Sequence, residues 1–484
     1  MTSPGALALL RANLAAHCLI SDPVAARPYE TDGLTAYRET PWVVALPETV
    51  DQVRAVLRIC RKYEIPVVTR GAGTGLSGGA RPHAQGVLLV LSKLNRILEV
   101  DLDSCTATVE PGVTNLAISE AVREHGLYYA PDPSSQIACS IGGNVAENSG
   151  GVHCLKYGLT IHNVLGVTVQ MLEGETLNLG GKTLDMPGYD LLAVMTGSEG
   201  MLGVVTRVVV KLLPQPATKR VMLAAFDSLQ DAGNSVGAVI GQGIIPAGME
   251  MMDNLAISAA EDFAHAGYPR EAAAILLCEL DGTLAQVEAE VARVERVLNA
   301  HGASQIRVAE TPEDQERLWK GRKSAFPAVG RIAPDYYCMD GTIPRNKIGQ
   351  VLADISSMSE RFGLAVANVF HAGDGNLHPL ILYDANKPGE QQRAETFGGK
   401  ILELCVAVGG TVTGEHGVGV EKLDQMCIQF NQAELEQFHR LKAAFDPPSL
   451  MNPGKAVPTL ARCSELGGMH VHGGALPHAE LERF

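Results

Sequence analysis

The first part of the chain alternates between segments of helical and strand-like hydrophobic spacing. Residues 48–63 carry apolar side chains at helical spacing, with an acidic start and a basic end, and we predict a helix there. The apolar runs at 66–69 and 87–91 predict two strands. Later segments predict a helix at 115–126 and further β-structure, which lies at 97–101, 106–113, 164–172, 191–197 and 203–214.

The second half continues with strands and helices in alternation. Pro214 and Pro216 predict a domain boundary. The pattern after them predicts β-structure at 220–226, 273–282 and 362–383, and helices at 228–242, 284–300 and 390–408. We therefore expect an α+β protein divided into an N-terminal helical segment, two large domains and a C-terminal tail, with bounds 1–35, 36–215, 216–456 and 457–484.

The motif GTGLSG at 73–78 matches the glycine fingerprint of dinucleotide-binding folds, and Glu99 and Asp101 follow at the distance of a ribose-binding acid. That fold requires a long helix directly after the glycines. Here Pro82 and Gly86 interrupt any helix, and the next strand begins only eight residues after the motif. The sequence therefore excludes a nicotinamide-binding fold at this position.

Composition narrows the class of protein. The 484 residues carry a formal net charge of −15, which argues against nucleic acid as a partner. The ten cysteines include no C-x-x-C pair, so we expect reduced thiols and neither an iron–sulfur cluster nor a zinc ribbon. The N-terminus lacks the features of a signal peptide, and no apolar run approaches about 20 residues, so we expect a cytoplasmic protein without direct membrane insertion.

Four blocks in the first half are rich in glycine and small polar residues. They lie at 70–79, 131–136, 140–151 and 196–206, and strands separate them. Such loops let backbone N–H groups approach an anion closely. Any one block is explained by a tight turn, but the four together predict the wrapping of a large phosphate-bearing cofactor.

A second constellation combines histidines and carboxylates. His371 and His378 flank a glycine-rich turn, and Glu415 and His416 lie in the segment GEHGVG. Two histidines and a carboxylate are a common ligand set for Zn²⁺, Mn²⁺ or Fe²⁺ with open positions. We predict a divalent metal held by His371, His378 and Glu415, with His416 as a base or a supporting residue. Asp374 is either a further ligand or a turn residue.

A predicted helix carries two adjacent cationic side chains, Arg322 and Lys323. Arg322 has the planar fork that grips a carboxylate with two hydrogen bonds, whereas Lys323 is better explained as a solvated side chain. Tyr337, Asp340 and Arg345 are further candidates for the substrate pocket.

These motifs resemble the vanillyl-alcohol-oxidase superfamily, also called the p-cresol-methylhydroxylase fold. Within it, the chain is similar to the FAD-linked catalytic subunits of bacterial glycolate oxidases (glycolate dehydrogenases), whose relatives oxidise D-lactate and D-2-hydroxyglutarate. The segments 325–345 and MHVHGG at 469–474 carry the resemblance more specifically than the glycine loops. The resemblance implies an FAD-binding domain of two subdomains, followed by an α+β, ferredoxin-like cap domain.

The resemblance also implies roles for individual residues. FAD would be bound without a covalent bond. A covalent bond to His83 or His153, the histidines near these loops, is the alternative. His416 would be the catalytic base, and Arg322 would bind the substrate carboxylate. The positions that match FAD-binding residues of the family are Arg70, Gly71, Gly73, Thr74, Gly75, Ser77, Pro131, Asp132, Ser135, Gly142, Gly143, Asn144, Asn148, Gly150 and Val205.

The expected reaction is oxidation of glycolate to glyoxylate, with a hydride passing to flavin N5 while a metal assists deprotonation of the hydroxyl. An iron–sulfur subunit and a second flavin-domain subunit would accept the electrons and hold the chain at the inner membrane. Other D-2-hydroxy acids, a metallohydrolase and a catalytically silent flavin subunit are the alternatives. The histidine-containing tail, with His470, His472 and His478, fits either a metal or partner site or a mobile end.

Overall fold

The computed structural model describes residues 4–183 and 187–466, and its N-terminal part begins with a four-stranded sheet. The strand order is β1-β2-β4-β3, with β1 antiparallel and the other three parallel. Its strands are β1 Leu19–Ile20, β2 Val43–Ala45, β3 Val67–Arg70 and β4 Val87–Val90. The accompanying helices are α1 Pro4–Asn13, α2 Pro23–Ala26 and α3 Val50–Lys62.

Helix α3 shows why the sequence pattern predicts this layer. Thr49 caps its first turn by accepting a hydrogen bond from the N–H of Gln52, and the apolar stripe with Val53, Val56 and Leu57 is buried against the sheet. The predicted helix at 48–63 is confirmed.

The glycine-rich segment joins two parallel, neighbouring strands without a helix. Strands β3 and β4 pair directly, with Val67 opposite Val87, and residues 71–86 form turns and bends only. The prediction that GTGLSG lies in a strand-to-strand loop is confirmed.

The second subdomain is built on a five-stranded antiparallel sheet of order β5-β6-β10-β8-β9, and β7 and β11 form a separate two-stranded sheet. The strands are β5 Ile97–Asp101, β6 Thr106–Val109, β7 Leu127–Tyr128, β8 Val164–Gln170, β9 Thr176–Gly180, β10 Val204–Lys211 and β11 Leu213–Pro214. The helices are α4 Asn115–Val122, α5 Ile141–Glu147, α6 Cys154–Tyr157, α7 Thr160–Asn163 and α8 Leu191–Met195.

Two segments of this subdomain differ from the sequence prediction. The segment 191–197 is not a strand, because Asp190 caps the short helix α8 by accepting a hydrogen bond from the N–H of Ala193. The glycine-rich block 140–151 likewise contains helix α5, which Ser140 caps through the N–H of Gly143. Local capping outweighs hydrophobic pattern in the first case and glycine content in the second.

The C-terminal part is built on a seven-stranded antiparallel sheet of order β15-β12-β14-β13-β17-β18-β16. Its strands are β12 Thr218–Phe226, β13 Gly248–Asp253, β14 Ala274–Gly282, β15 Ala303–Val308, β16 Asp335–Cys338, β17 Val366–His371 and β18 Pro379–Tyr383. The helices are α9 Leu229–Gly241, α10 Asn254–Ala264, α11 Leu284–Ala300, α12 Pro312–Lys323, α13 Ala325–Val329, α14 Ile348–Phe362, α15 Glu390–Ala407, α16 Leu423–Gln429, α17 Gln432–Phe445 and α18 Leu460–Glu465.

Both faces of this sheet are buried. Along β12, Met222 and Ala224 belong to one apolar core, while Val221 and Leu223 belong to the core on the other face. The continuous apolar run that predicts β12 follows from this two-sided burial. Together with the sheets of the first part, it confirms the predicted α+β class.

The chain returns to the first sheet after α17. The N–H of Asn452 donates to the carbonyl of Val67, and Nζ of Lys455 donates to the carbonyl of Gly79 at 2.8 Å. Residues from the C-terminal part of the sequence therefore hold the start of β3 and the glycine-rich loop that follows it.

The expectation of reduced thiols is wrong for one pair of cysteines. Cys427 in α16 and Cys463 in α18 form a disulfide, with their Cα atoms 5.2 Å apart. The helices pack together around these buried side chains, a proximity that a separation of 36 residues does not reveal. No helix within the described residues is long and apolar enough to cross a membrane. His470, His472 and His478 lie outside the described residues.

Candidate functional site

A cavity of about 410 Å³ lies between the N-terminal subdomains and the C-terminal sheet domain. The C-terminal part contributes Arg322, Phe326, His378, Glu415 and His416 to its wall. Ten of the fifteen residues matched to FAD-binding positions also line it, namely Arg70, Gly71, Gly73, Thr74, Gly75, Ser135, Gly142, Gly143, Asn144 and Val205. The fold thus brings most of the predicted cofactor residues together with the predicted catalytic ones.

The backbone of this cavity requires glycine at two predicted positions. Gly73 has a φ of +75°, and a Cβ there would lie 2.1 Å from a guanidinium nitrogen of Arg70. A Cβ on Gly71 would lie 2.0 Å from the hydroxyl of Ser140. The side-chain nitrogen Nδ2 of Asn144, in the same wall, is buried without a hydrogen-bond partner. A glycine-lined wall with a free donor fits a large ligand that carries hydrogen-bond acceptors, such as FAD.

Five of the matched residues do not line the cavity: Ser77, Pro131, Asp132, Asn148 and Gly150. Most of them are engaged elsewhere. The carbonyl of Ser77 accepts hydrogen bonds from the N–H groups of Val420 and Glu421, and that of Pro131 from the side chain of Asn115. Tertiary packing places these groups behind the wall, so we expect them to support the loops.

Asp132, Asn148 and Gly150 have structural partners as well. Asp132 pairs with His153, and Asn148 ends α5 in the left-handed conformation. Gly150 lies against Glu415, because a Cβ there would come within 2.8 Å of Oε2 of that carboxylate. Gly150 therefore leaves room for the side chain of Glu415.

The turn between β17 and β18 brings the two predicted histidine ligands together. The rings of His371 and His378 are 5.2 Å apart between centroids, and both side chains are buried. Their Nε2 atoms lie 3.4 Å and 3.1 Å from the same carboxylate oxygen, Oε1 of Glu415. Asp374 accepts a hydrogen bond from the N–H of Asn376 at 3.0 Å, which gives it a role in the turn.

Glu250 is a fourth buried residue of the site, and it contacts the Nδ1 side of His371. Glu250 in β13 accepts a hydrogen bond from Nδ1 of His371 at 2.6 Å, and its other oxygen binds Nε and Nη2 of Arg322 at 2.8 and 2.6 Å. A carboxylate behind a histidine fixes the ring so that Nε2 faces outward, as in many metal sites. Glu250 also raises the pKa of His371 well above its usual range, although burial opposes the imidazolium.

Asp340 lies on the other side of the cluster and organises the loop that carries Glu415. Its carboxylate accepts hydrogen bonds from the N–H groups of Glu415 and His416, at 3.2 and 2.8 Å, and from Nζ of buried Lys422 at 3.2 Å. Asp340 does not line the cavity, so the structure gives it a supporting place and not direct contact with a substrate.

The geometry offers two overlapping ligand sets. Ligand atoms of Asp340, His378, Glu415 and His416 all lie within 4.8 Å of one another, and Nε2 of His371 lies 3.4 Å from Oε1 of the same glutamate. Nε2 of His378 and Nδ1 of His416 are buried without a hydrogen-bond partner. Buried imidazole nitrogens beside carboxylates fit a divalent cation, and His378 and Glu415 belong to both sets.

His416 stands at the cavity wall with its ring stacked on that of His378, 4.9 Å between centroids. Burial lowers the pKa of His416 to about 4. A neutral imidazole with a free nitrogen can accept a proton from a group bound in the cavity.

Two of the remaining substrate candidates, Tyr337 and Arg345, lie apart from this cavity. Tyr337 is buried in β16 and lines a second cavity with Tyr37 and Glu421, so it is not brought to the predicted substrate site. Arg345 is exposed in a 3₁₀ turn. Lys323 is exposed as expected, although it reaches the rim of the main cavity. Sheet pairing turns β16 so that the Tyr337 side chain enters the core beneath the site.

The two histidines considered for covalent flavin attachment are also placed. His83 does not line the cavity, and its Nδ1 accepts a hydrogen bond from the N–H of Gln85. His153 lies between Asp132 and Glu279, at 2.7 and 3.2 Å.

Comparison with known proteins identifies the family. A model described as FAD binding domain matches residues 41–180, and one described as FAD linked oxidases, C-terminal domain, matches residues 215–456. The chain belongs to the FAD-linked oxidases.

This FAD-linked oxidase is similar to several curated proteins over most of its length. It is 63% identical to "Glycolate oxidase subunit GlcD" of Escherichia coli strain K12, across 94% of this chain and 92% of the relative. It is 39% identical to the protein of the same name from Bacillus subtilis strain 168, across 88% and 91% of the two chains. A "D-lactate dehydrogenase" of Archaeoglobus fulgidus is 34% identical, across 88% and 94%.

Solved structures support the fold of this FAD-linked oxidase. The structure of p-cresol methylhydroxylase with substrate bound matches with a TM-score of 0.80, across 95% of this chain and 98% of the other, at 19% identity. A 4-ethylphenol oxidase from Gulosibacter chungangensis matches with a TM-score of 0.79 at 18% identity, across 95% and 99%. The expected p-cresol-methylhydroxylase architecture is confirmed.

Two residues of the site are not predicted by the sequence analysis. Glu250 is distant in sequence from every motif, whereas Lys422 lies three residues after the segment GEHGVG, and both are buried. Glu250 lies within the strand GMEMMD, between the apolar residues Met249 and Met251. An acid in such a position is a usable signal, because a charged side chain inside a sheet must find a partner.

Proposed function

We propose that this FAD-linked oxidase oxidises glycolate to glyoxylate, and that D-lactate is its most closely related alternative substrate. The observation that carries the proposal is the meeting, in one cavity, of the glycine-lined wall with Arg322, His378, Glu415 and His416. The similarity to glycolate oxidase subunits over most of the chain supports glycolate, and the more distant D-lactate dehydrogenases support the alternative.

Arg322 would bind the substrate carboxylate. Nε and Nη2 of Arg322 contact Glu250. The other N–H groups of the guanidinium remain to donate hydrogen bonds to the substrate carboxylate. Glu250 holds the side chain in place, and both residues are almost fully buried. A carboxylate bound here would place the neighbouring carbon close to the histidine cluster.

His371, His378 and Glu415 would hold a divalent metal, with Asp340 and Glu250 orienting them. When bound, such a cation lowers the pKa of a coordinated hydroxyl by several units. His416 would then accept the hydroxyl proton, because its imidazole is neutral and lies in the cavity wall, with Nε2 3.8 Å from Oε1 of Glu415. FAD, held without a covalent bond by the glycine-lined wall, supplies the hydride acceptor.

The electrons would leave through partner subunits. Glycolate oxidase relatives are named as subunits, which supports a multi-subunit assembly. We expect an iron–sulfur subunit and a second flavin-domain subunit, which would hold this chain at the inner face of the membrane and pass electrons towards quinone. Co-purification with those two subunits tests this, and efficient NAD reduction by the isolated chain would contradict it.

The decisive experiment is a substrate panel on the purified chain with an artificial electron acceptor. Glycolate, D-lactate, L-lactate and D-2-hydroxyglutarate are compared, each with and without added Zn²⁺ or Mn²⁺. Glycolate and D-lactate differ by one methyl group, which is worth about 1–3 kcal/mol in a fitted pocket, so we expect a ratio of roughly 10 to 200 between their kcat/KM values. Failure of every hydroxy acid, in a preparation that contains FAD, would overturn the proposal and favour a catalytically silent flavin subunit. A colourless preparation that hydrolyses esters would favour the metallohydrolase.

A further inference from the structure

Two acidic side chains that the proposed reaction does not use lie side by side in the cavity wall. Glu147 is the last residue of α5, and Glu199 follows α8. Both oxygens of Glu199 accept hydrogen bonds from backbone N–H groups, those of Val418 and Gly419, each at 2.7 Å. Oε2 of Glu147 is buried and has no hydrogen-bond partner.

The two carboxyl groups meet at the reactive end of the cavity. Gly417, directly after His416, has a φ of +80°. A Cβ at Gly417 would lie 2.0 Å from Oε2 of Glu147 and 3.1 Å from Oε1 of Glu199. Both acids therefore pack against the same backbone position, next to the residue that we propose as the base.

This arrangement assigns different protonation states to the two acids. Burial raises the pKa of Glu199, but its carboxylate accepts hydrogen bonds from two N–H groups, which favour the ionised form. Glu147 has no donor on its buried oxygen and has Glu199 as its neighbour, and two like charges this close, away from water, are unfavourable. The other charged groups that act on Glu147 are Asp32, Lys422 and Lys455. Burial and these carboxylates raise the pKa of Glu147 well above its usual range.

We propose that Glu147 holds a proton beside ionised Glu199 and gives it to the flavin ring when the ring is reduced, an inference that rests on the proposed binding of FAD in this cavity. The two electrons come from the reductant, which under turnover is the substrate's C–H bond. The O–H bond of Glu147 breaks, an N–H bond on the ring forms, and the new carboxylate faces Lys422 and Lys455. Reoxidation of the ring returns the proton to Glu147.

Infrared difference spectroscopy on the FAD-bound full chain tests this directly. The flavin is reduced anaerobically with dithionite, so the result does not depend on the identity of the substrate. The reduced-minus-oxidised spectrum of the wild type should lose a protonated-carboxyl C=O band that is sensitive to D₂O. The band should be absent in Glu147→Gln and present in Ser198→Ala, a control at another residue of the same wall.

Each outcome decides the question. An unchanged band in Glu147→Gln, or no such band in the wild type, would overturn the proposal. If Glu147→Gln does not retain FAD, Glu147→Asp keeps the acid but moves it, so the band should persist at a shifted frequency. A band that stays in place in Glu147→Asp would also overturn the proposal. If the wild type shows the carboxyl band but oxidises no hydroxy acid, the result would count against the proposed function and not against the role of Glu147.

Discussion

Glu250 binds Nδ1 of His371 through one carboxylate oxygen, at 2.6 Å, and the guanidinium of Arg322 through the other. This single side chain therefore orients a proposed metal ligand and the proposed substrate-binding arginine. Neither contact is predictable from the motifs, since Glu250 lies 121 residues before His371 and 72 residues before Arg322 in the sequence.

Replacing this carboxylate should weaken metal binding. In Glu250→Gln we expect a loss of about 10–100-fold in metal affinity, because Nδ1 of His371 no longer faces an anion that fixes the ring. Metal titration of the folded, FAD-containing fraction measures this, and Glu288→Gln on exposed α11 is the control. The variant should also unfold more easily, since Arg322 loses its buried counter-charge. Unchanged metal affinity would remove Glu250 from the metal site.

Arg322→Lys should raise the apparent KM for glycolate while FAD content stays constant. Lysine keeps the charge beside Glu250 but loses the planar edge that binds a carboxylate through two hydrogen bonds. Steady-state kinetics and the flavin-to-protein ratio check this. Arg317→Lys, an exposed position on the same helix, should behave like the wild type. Equal KM values in the two variants would place the substrate carboxylate elsewhere.

His416→Ala should lower kcat by about 10²–10⁴-fold, the usual contribution of a general base. Metal and FAD contents should remain, because His371, His378 and Glu415 are intact. Elemental analysis and absorbance spectra separate loss of the base from loss of a ligand, and His301→Ala, at an exposed position, is the control. A variant that loses its metal together with its activity would make His416 a ligand, as in the set with Asp340.

FAD should be released completely by acid precipitation. His83 does not line the cavity, and His153 is engaged by two carboxylates, so neither side chain stands ready to form a bond with the flavin. Yellow colour in the supernatant after precipitation is the expected result. Flavin that remains with the pellet would contradict the prediction.

The stability of the domain contact at His153 should depend on pH. Burial disfavours the charged imidazole, but Asp132 and Glu279 outweigh burial and raise the pKa of His153 to about 10. The stabilisation is therefore complete below the unfolded pKa of about 6.5 and is lost as the pH rises through about 10. We expect His153→Gln to lower the free energy of unfolding by about 1.5–3 kcal/mol at pH 6, with a smaller difference at pH 10. Denaturant unfolding measures this, and exposed His125→Gln is the control.

Local sequence predicted a large share of the fold because many of its elements depend on neighbouring residues. The loop between β3 and β4 follows from Pro82 and Gly86, which interrupt a helix, and α11 follows from its hydrophobic spacing over 284–300. Helix α8 was missed because one side chain, Asp190, outweighs the strand-like pattern by capping the helix. The disulfide was missed because its two helices meet only in the folded chain.

The chemically important groups are readable from the amino-acid sequence alone: glycine-rich loops without a dinucleotide-binding helix, and two histidines brought together by the turn at 373–375. Which of these groups reach the cavity depends on the folded arrangement of the strands and loops. This arrangement turned Tyr337 into the core, placed Asp340 beneath the loop of Glu415, and brought Glu250 to His371. The physical reason is that a buried charge must find its partner in space, and sheet pairing, not sequence distance, determines which residues become neighbours.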